Sequence, residues 1–220
     1  MFAKSTTSIG TGFRYRRPGH GGRHVVEREL TLMFTDITGF THIAETLPAK
    51  AVAELLRRHF RTLARCIERE HGRIDTIMGD GLVAVWVNHG TGPAAAAPAL
   101  RAALGIRAAI EKDNGDGAGR DHAPIRLRVG VHAGSLVEVR LGTNGHLGPT
   151  LCGDTVNVAQ RLEDAARSMA GAGAVTIVVS DAVVARAGDG FRFEPLGELP
   201  VRGRTGSVLA FRLGETPDVG

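Results

Sequence analysis

A chain of 220 residues with 43% hydrophobic composition can bury one domain of ordinary size and is too short for two comfortable ones. Two cysteines, Cys66 and Cys152, argue against a disulfide scaffold, and no apolar run nears the roughly 20 residues that span a bilayer, so the expectation is a cytoplasmic protein with reduced thiols and no membrane partner. The net charge of +4 and pI near 9.7 give a nucleic-acid partner little support, because a polyanionic small substrate would answer the same charges.

Residues 1–27 hold Lys4, Arg14, Arg16, Arg17 and Arg23 with no acid before Glu27 and no apolar periodicity, the composition of a flexible basic arm. Phe13 and Tyr15 interleave the arginines, so an arm that folds over a site or a partner subunit stands beside a disordered leader as a reading. An apolar strand, Leu30 to Phe34, leads to Asp36. A helix follows from about Thr41 to His71, interrupted near Pro48 and stopped by Gly72. Arg73 to Met78 and Leu82 to Val87 read as the strands of a hairpin whose tip, Gly79-Asp80-Gly81, carries a second aspartate. Next come an alanine-rich helix over 94–112, a loop over 113–121 without calcium-loop spacing, and strands Ile125 to His132 and Leu136 to Leu141. Cys152 falls in a loop. A helix over 154–169, capped by Asp154 or Thr155, precedes strands Val175 to Val179, Phe191 to Leu196 and Val208 to Leu213. Trp86, Phe60 and His132 read as interior or strand residues. The pattern predicts an α+β, antiparallel-rich sheet with helices packed on one face, a ferredoxin-like split βαβ arrangement over residues 28–214, with 215–220 as a tail.

Three segments carry the chemistry. Asp36 ends an apolar strand, and the amides of Gly39, Phe40 and Thr41 then open a helix; a helix N-terminus beside a carboxylate can hold a phosphate with its metal. Taken alone, such an aspartate is more often a plain cap. Asp80 is the second carboxylate, and two aspartates at the ends of adjacent strands repel unless a cation lies between them. In Gly153-Asp154-Thr155-Val156-Asn157-Val158-Ala159-Gln160-Arg161, residues Asn157 and Arg161 are four apart and share one helix face. That face either is a plain polar surface, with Arg161 paired to Asp164, or offers a neutral donor for a ribose and a cation for a phosphoryl group.

Phe-Thr-Asp-Ile-Thr-Gly-Phe-Thr, Met-Gly-Asp-Gly, Gly-Asp-Thr-Val-Asn-Val-Ala-Gln-Arg-Leu and Val-Arg-Gly-Arg, in this order over about residues 29–214, resemble the class III nucleotidyl cyclase catalytic domain. The resemblance implies an antiparallel homodimer with two interfacial sites. In each, Asp36, Asp80 and the Ile37 carbonyl of one subunit would hold two Mg²⁺ or Mn²⁺ ions, and Asn157, Arg161 and Arg202 of the other would reach the substrate. Attack of the ribose 3′-hydroxyl on the α-phosphorus would then expel pyrophosphate and leave a 3′,5′-cyclic nucleotide. Position 202 carries arginine where most relatives place lysine, which keeps the charge and widens the head.

The same resemblance places the base-reading positions at Thr76 and Thr150, where adenylyl cyclases usually carry lysine at the first and guanylyl cyclases glutamate and cysteine. Thr150 is shared by many bacterial adenylyl cyclases. Short hydroxyls make one bond each and cannot span to a distant purine edge. With no sensor domain in the chain, this resembles the stand-alone pyrimidine cyclases of bacterial antiphage (Pycsar) systems. The expected substrate is then UTP or CTP, and the product would act on a separate effector. The alternatives are an adenylate cyclase using ATP and a nucleotide-binding regulatory module without turnover; the latter is weakened by the presence of Asp36, Asp80, Asn157 and Arg161 together.

Overall fold

The computed structural model describes residues 25–88, 92, 94–116, 124–143, 146–169, 173–200 and 207–214. The elements are β1 (Val25–Ile37), α1 (Phe40–Thr46), α2 (Ala49–Arg69), β2 (Arg73–Met78), β3 (Gly81–Val87), α3 (Ala97–Asp116), β4 (Leu127–Thr143), β5 (His146–Cys152), α4 (Asp154–Ala166), β6 (Val175–Ser180), α5 (Asp181–Val184), β7 (Phe193–Pro200) and β8 (Ser207–Leu213). Seven strands run in the order β2-β3-β1-β4-β6-β8-β7, and β5 pairs with β4 off that path. The β4–β6 pair is parallel and the other ladders are antiparallel.

Alternation along the strands feeds two cores. Met33 and Ile37 of β1, Leu82, Ala84 and Trp86 of β3, and Val129 and Val131 of β4 pack against α2 and α3. The other alternation set, Leu30, Leu32 and Phe34 with Val83 and Val85, meets Ala159 of α4. Val158, Leu162 and Ala166 of α4 close over Val178, Val208 and Ala210. The sheet is therefore covered on both faces, not on the one face the helix–strand alternation suggested. The reason lies in β3, whose first six residues are all buried and must be covered on both sides.

Other differences have local causes. β4 runs unbroken through Ala133-Gly134 because β1 pairs with it in register from Val25↔Val139 to Ile37↔Leu127. The same ladder draws Val25–Glu27, read as part of the arm, into β1. Cys152 closes strand β5 and is not in a loop. α3 continues through residues 113–116, read as loop, and the Asn114 side chain brackets Ile125 by accepting from its amide (2.9 Å) and donating to its carbonyl (2.8 Å). α5 escaped the sequence because it is a single turn, capped by Ser180 Oγ accepting from the Val183 amide. Among the described residues no helix is long and apolar enough to cross a membrane.

Candidate active site

Asp36 lies one residue before the end of β1, where the central strand emerges between β3 and β4. The hairpin β2–β3 brings Asp80 to it through two glycines with separate duties. Gly79 takes a left-handed φ of 61° in the turn, and Gly81 lies so close to β1 that a Cβ there would sit 2.2 Å from the Thr35 carbonyl oxygen. The Ile37 amide then donates to Asp80 Oδ2 at 3.1 Å. Ile37 is thus the hinge between both aspartates, the first joined to it covalently and the second by a hydrogen bond.

Burial, and after it the charge of Asp36, pushes the Asp80 carboxyl above its usual range. A pair of oxygen donors that repel each other is the donor set a hard divalent cation satisfies. Among the described residues no three His, Cys, Asp or Glu side chains form a metal cage. The two neighbouring carboxylates themselves fit a hard divalent cation whose remaining ligands would be substrate phosphates and water.

The structure adds two residues that sequence reasoning missed. Arg128 of β4 donates from Nη2 to Asp36 Oδ2 and from Nε to Glu163 Oε1 at 2.6 Å, the latter on α4. Arg128 is 6% exposed and Glu163 7%. Burial first, and the charge of Asp36 among the lesser causes, raises the Glu163 carboxyl, while Arg128 pulls it down. The signal was available: an arginine inside the apolar strand Ile125 to His132 is a buried charge that must find a carboxylate.

Beyond Asp36, α1 opens at Phe40 behind Gly39, and its first intrahelical donors are the amides of His42 and Ile43, both to the Gly39 carbonyl. The amides of Gly39, Phe40 and Thr41 are those a helix leaves without intrahelical acceptors. Asn157 and Arg161 project from α4, Asn157 exposed and Arg161 half-buried, 3.9 Å from Asp164. Among the described residues neither is hydrogen-bonded or ion-paired to Asp36 or Asp80. Thr76 is exposed on β2, its hydroxyl donating to Asp75 at 3.1 Å. Thr150 lies in β5 opposite Val139. Arg202, the arm through His24 and the 215–220 tail lie outside the described residues.

The family model described as "Adenylate and Guanylate cyclase catalytic domain" matches residues 25–214, which takes in the aspartates, Arg128 and α4. The chain belongs to this cyclase family. Adenylate cyclase 1 of Rhizobium meliloti is 34% identical to the cyclase domain over 188 residues, 85% of this chain and 28% of the relative. Adenylate cyclase 2 of the same organism is 32% identical over 205 residues, 92% of this chain and 52% of the relative. The chain thus spans roughly a quarter to a half of the length of these relatives. Among solved structures, the adenylyl cyclase CyaB from P. aeruginosa superposes with a TM-score of 0.78 at 24% identity, covering 89% of this chain and 99% of that one. The guanylyl cyclase Cya2 does so with a TM-score of 0.78 at 22% identity, covering 90% and 97%. At such identities these two matches bear on the fold, and the shared fold is that of the cyclase domain.

Proposed function

We propose that the chain converts a nucleoside triphosphate to a 3′,5′-cyclic nucleotide and pyrophosphate at sites shared between two copies. The observation that carries this reading is the hydrogen bond from the Ile37 amide to Asp80 Oδ2, which sets the second aspartate beside the end of β1 that carries Asp36. Bound there, divalent metal would favour loss of the 3′-hydroxyl proton and neutralise the triphosphate. Asp36, Asp80 and the Ile37 carbonyl are the residues that would hold it, with Gly39, Phe40 and Thr41 turning amides toward phosphate. Asn157 and Arg161 of α4 serve the partner's site, the asparagine orienting ribose and the arginine spreading its charge over the transferring group. Arg202 would reach the triphosphate. Among the described residues neither Asn157 nor Arg161 is bonded to Asp36 or Asp80 of its own chain, which leaves both free to serve a second copy.

ATP is the substrate we favour, because the relatives in Rhizobium meliloti are named adenylate cyclases and a threonine at position 150 is compatible with adenine. This reverses the order drawn from the sequence alone, where UTP or CTP came first. One observation keeps the pyrimidine reading as second: Thr76, at the position tied to purine reading, ends in a short hydroxyl bonded to Asp75. In that case the product would be cUMP or cCMP, acting on a separate effector in antiphage defence. Incubating the purified chain with Mn²⁺ and ATP, GTP, CTP or UTP, with products identified by chromatography and mass, tests both. Cyclic AMP is expected; cUMP or cCMP as the main product would move the pyrimidine reading to the front, and no product from any of the four would contradict turnover.

A further inference from the structure

Arg128 divides one buried guanidinium between two carboxylates that have different duties. Asp36 belongs to the proposed metal pair, whereas Glu163 reaches in from α4, the helix that covers this face of the sheet. That reach depends on Gly130: a Cβ there would lie 2.3 Å from the Glu163 amide nitrogen and 2.4 Å from the Ala159 carbonyl oxygen, so the helix backbone rests directly on the strand. A planar guanidinium offers fixed donors, and here Nε and Nη2 each take a different partner.

A cation binding at Asp36 competes with Arg128 for the same carboxylate. If the arginine had no second anion, giving up Asp36 would leave a buried charge unpaired, and the cation would have to offset that cost. Glu163 removes the obstacle by holding Arg128 through Nε while Nη2 is released. The charges agree: when ionised, Asp36, Asp80, Glu163 and Arg128 leave two negative charges, the complement of one divalent ion.

We propose that Glu163 is a positioning residue for the metal site, anchoring Arg128 from α4 so that Asp36 can exchange a guanidinium for a divalent cation. This deepens the cyclase reading and rests on its metal assignment.

The test is Mn²⁺ binding to the whole chain without nucleotide, read from the free-ion electron paramagnetic resonance signal, with circular dichroism to verify folding. Glu163→Gln should weaken binding about tenfold, because a charge is lost and Arg128 turns wholly to Asp36. Adding Arg128→Gln to that variant should restore affinity to within about threefold of the wild type, since the competing cation is gone. A merely structural role would be worsened by a second buried substitution. If Glu163→Gln does not fold, Glu163→Asp should still show a loss of about threefold, because it keeps the charge and shortens the arm. Wild-type affinity in the Glu163 variant, or no recovery in the double variant, overturns the proposal. Binding unaffected by Asp36→Asn would overturn the metal assignment instead.

Discussion

The Ile37 amide donates to Asp80 Oδ2 at 3.1 Å, which fixes the tip of the β2–β3 hairpin beside the end of β1. Because of this bond, the second aspartate sits next to the first although 43 positions separate Ile37 from Asp80. Asparagine at position 80 can still accept from the Ile37 amide but brings no charge.

Asp80→Asn should therefore keep the fold and lose the metal. The Asp80 carboxyl is raised by burial and by Asp36, so its ionised form is disfavoured in the folded chain. That cost applies above the folded pKa and is relieved as pH falls through it. At neutral pH the substitution should stabilise the metal-free chain slightly, the effect being small because the group is partly solvated. Thermal melts with and without Mn²⁺ check both points. The wild type should gain stability from Mn²⁺ and the variant should not; an equal gain would contradict the role of Asp80.

Gly130→Ala should be severe for so small a change. The added methyl would strike backbone atoms of α4, which have no flexible end to move aside. A loss of about 3 kcal/mol in urea unfolding is expected. Cyclic-nucleotide formation should fall with it, since α4 also carries Asn157 and Arg161. A loss below about 1 kcal/mol would mean that the helix can shift off the strand at little cost.

His59 of α2 gives a pH dependence unconnected with the site. It is 1% exposed, among the described residues neither ring nitrogen has a hydrogen-bond partner, and burial pushes its pKa down from 6.5 to about 4. Above pH 6.5 the imidazole is neutral in both states and has no effect on stability. As pH falls from there toward 4, the unfolded chain takes up the proton first, and stability drops. Between pH 7.5 and 5 this amounts to about 2 kcal/mol. Urea unfolding of wild type and His59→Leu at both pH values isolates it: the difference in stability between the two proteins should change by that amount, and an unchanged difference would contradict a buried neutral histidine.

Sequence alone made the ends of the strands legible, and with them Asp36 and Asp80, because apolar runs that stop at Asp or at Gly-Asp-Gly carry both the period and the break. Asn157 and Arg161 were legible as a pair from their helical spacing. Arg128 and Glu163 were not matched, because their pairing crosses from β4 to α4 and depends on Gly130, a residue with no side chain to draw attention. β5 stayed hidden for a related reason: His146 to Cys152 contains Gly148 and Pro149, which break a strand pattern, and only the length of β4 gives it a ladder to join. The cover on both sheet faces was implicit in the uninterrupted apolar run of β3.

The central claim, a site built from two chains, is tested most directly by complementation. Asp36→Ala lacks a metal carboxylate and Arg161→Ala lacks the cation offered to the partner, so each protein alone should form almost no cyclic nucleotide while remaining folded. Mixed under conditions that exchange subunits, half of the dimers combine one chain of each kind and hold one intact site, and activity should return to about a quarter of the wild type. Activity that stays at background despite proven exchange would contradict the shared site.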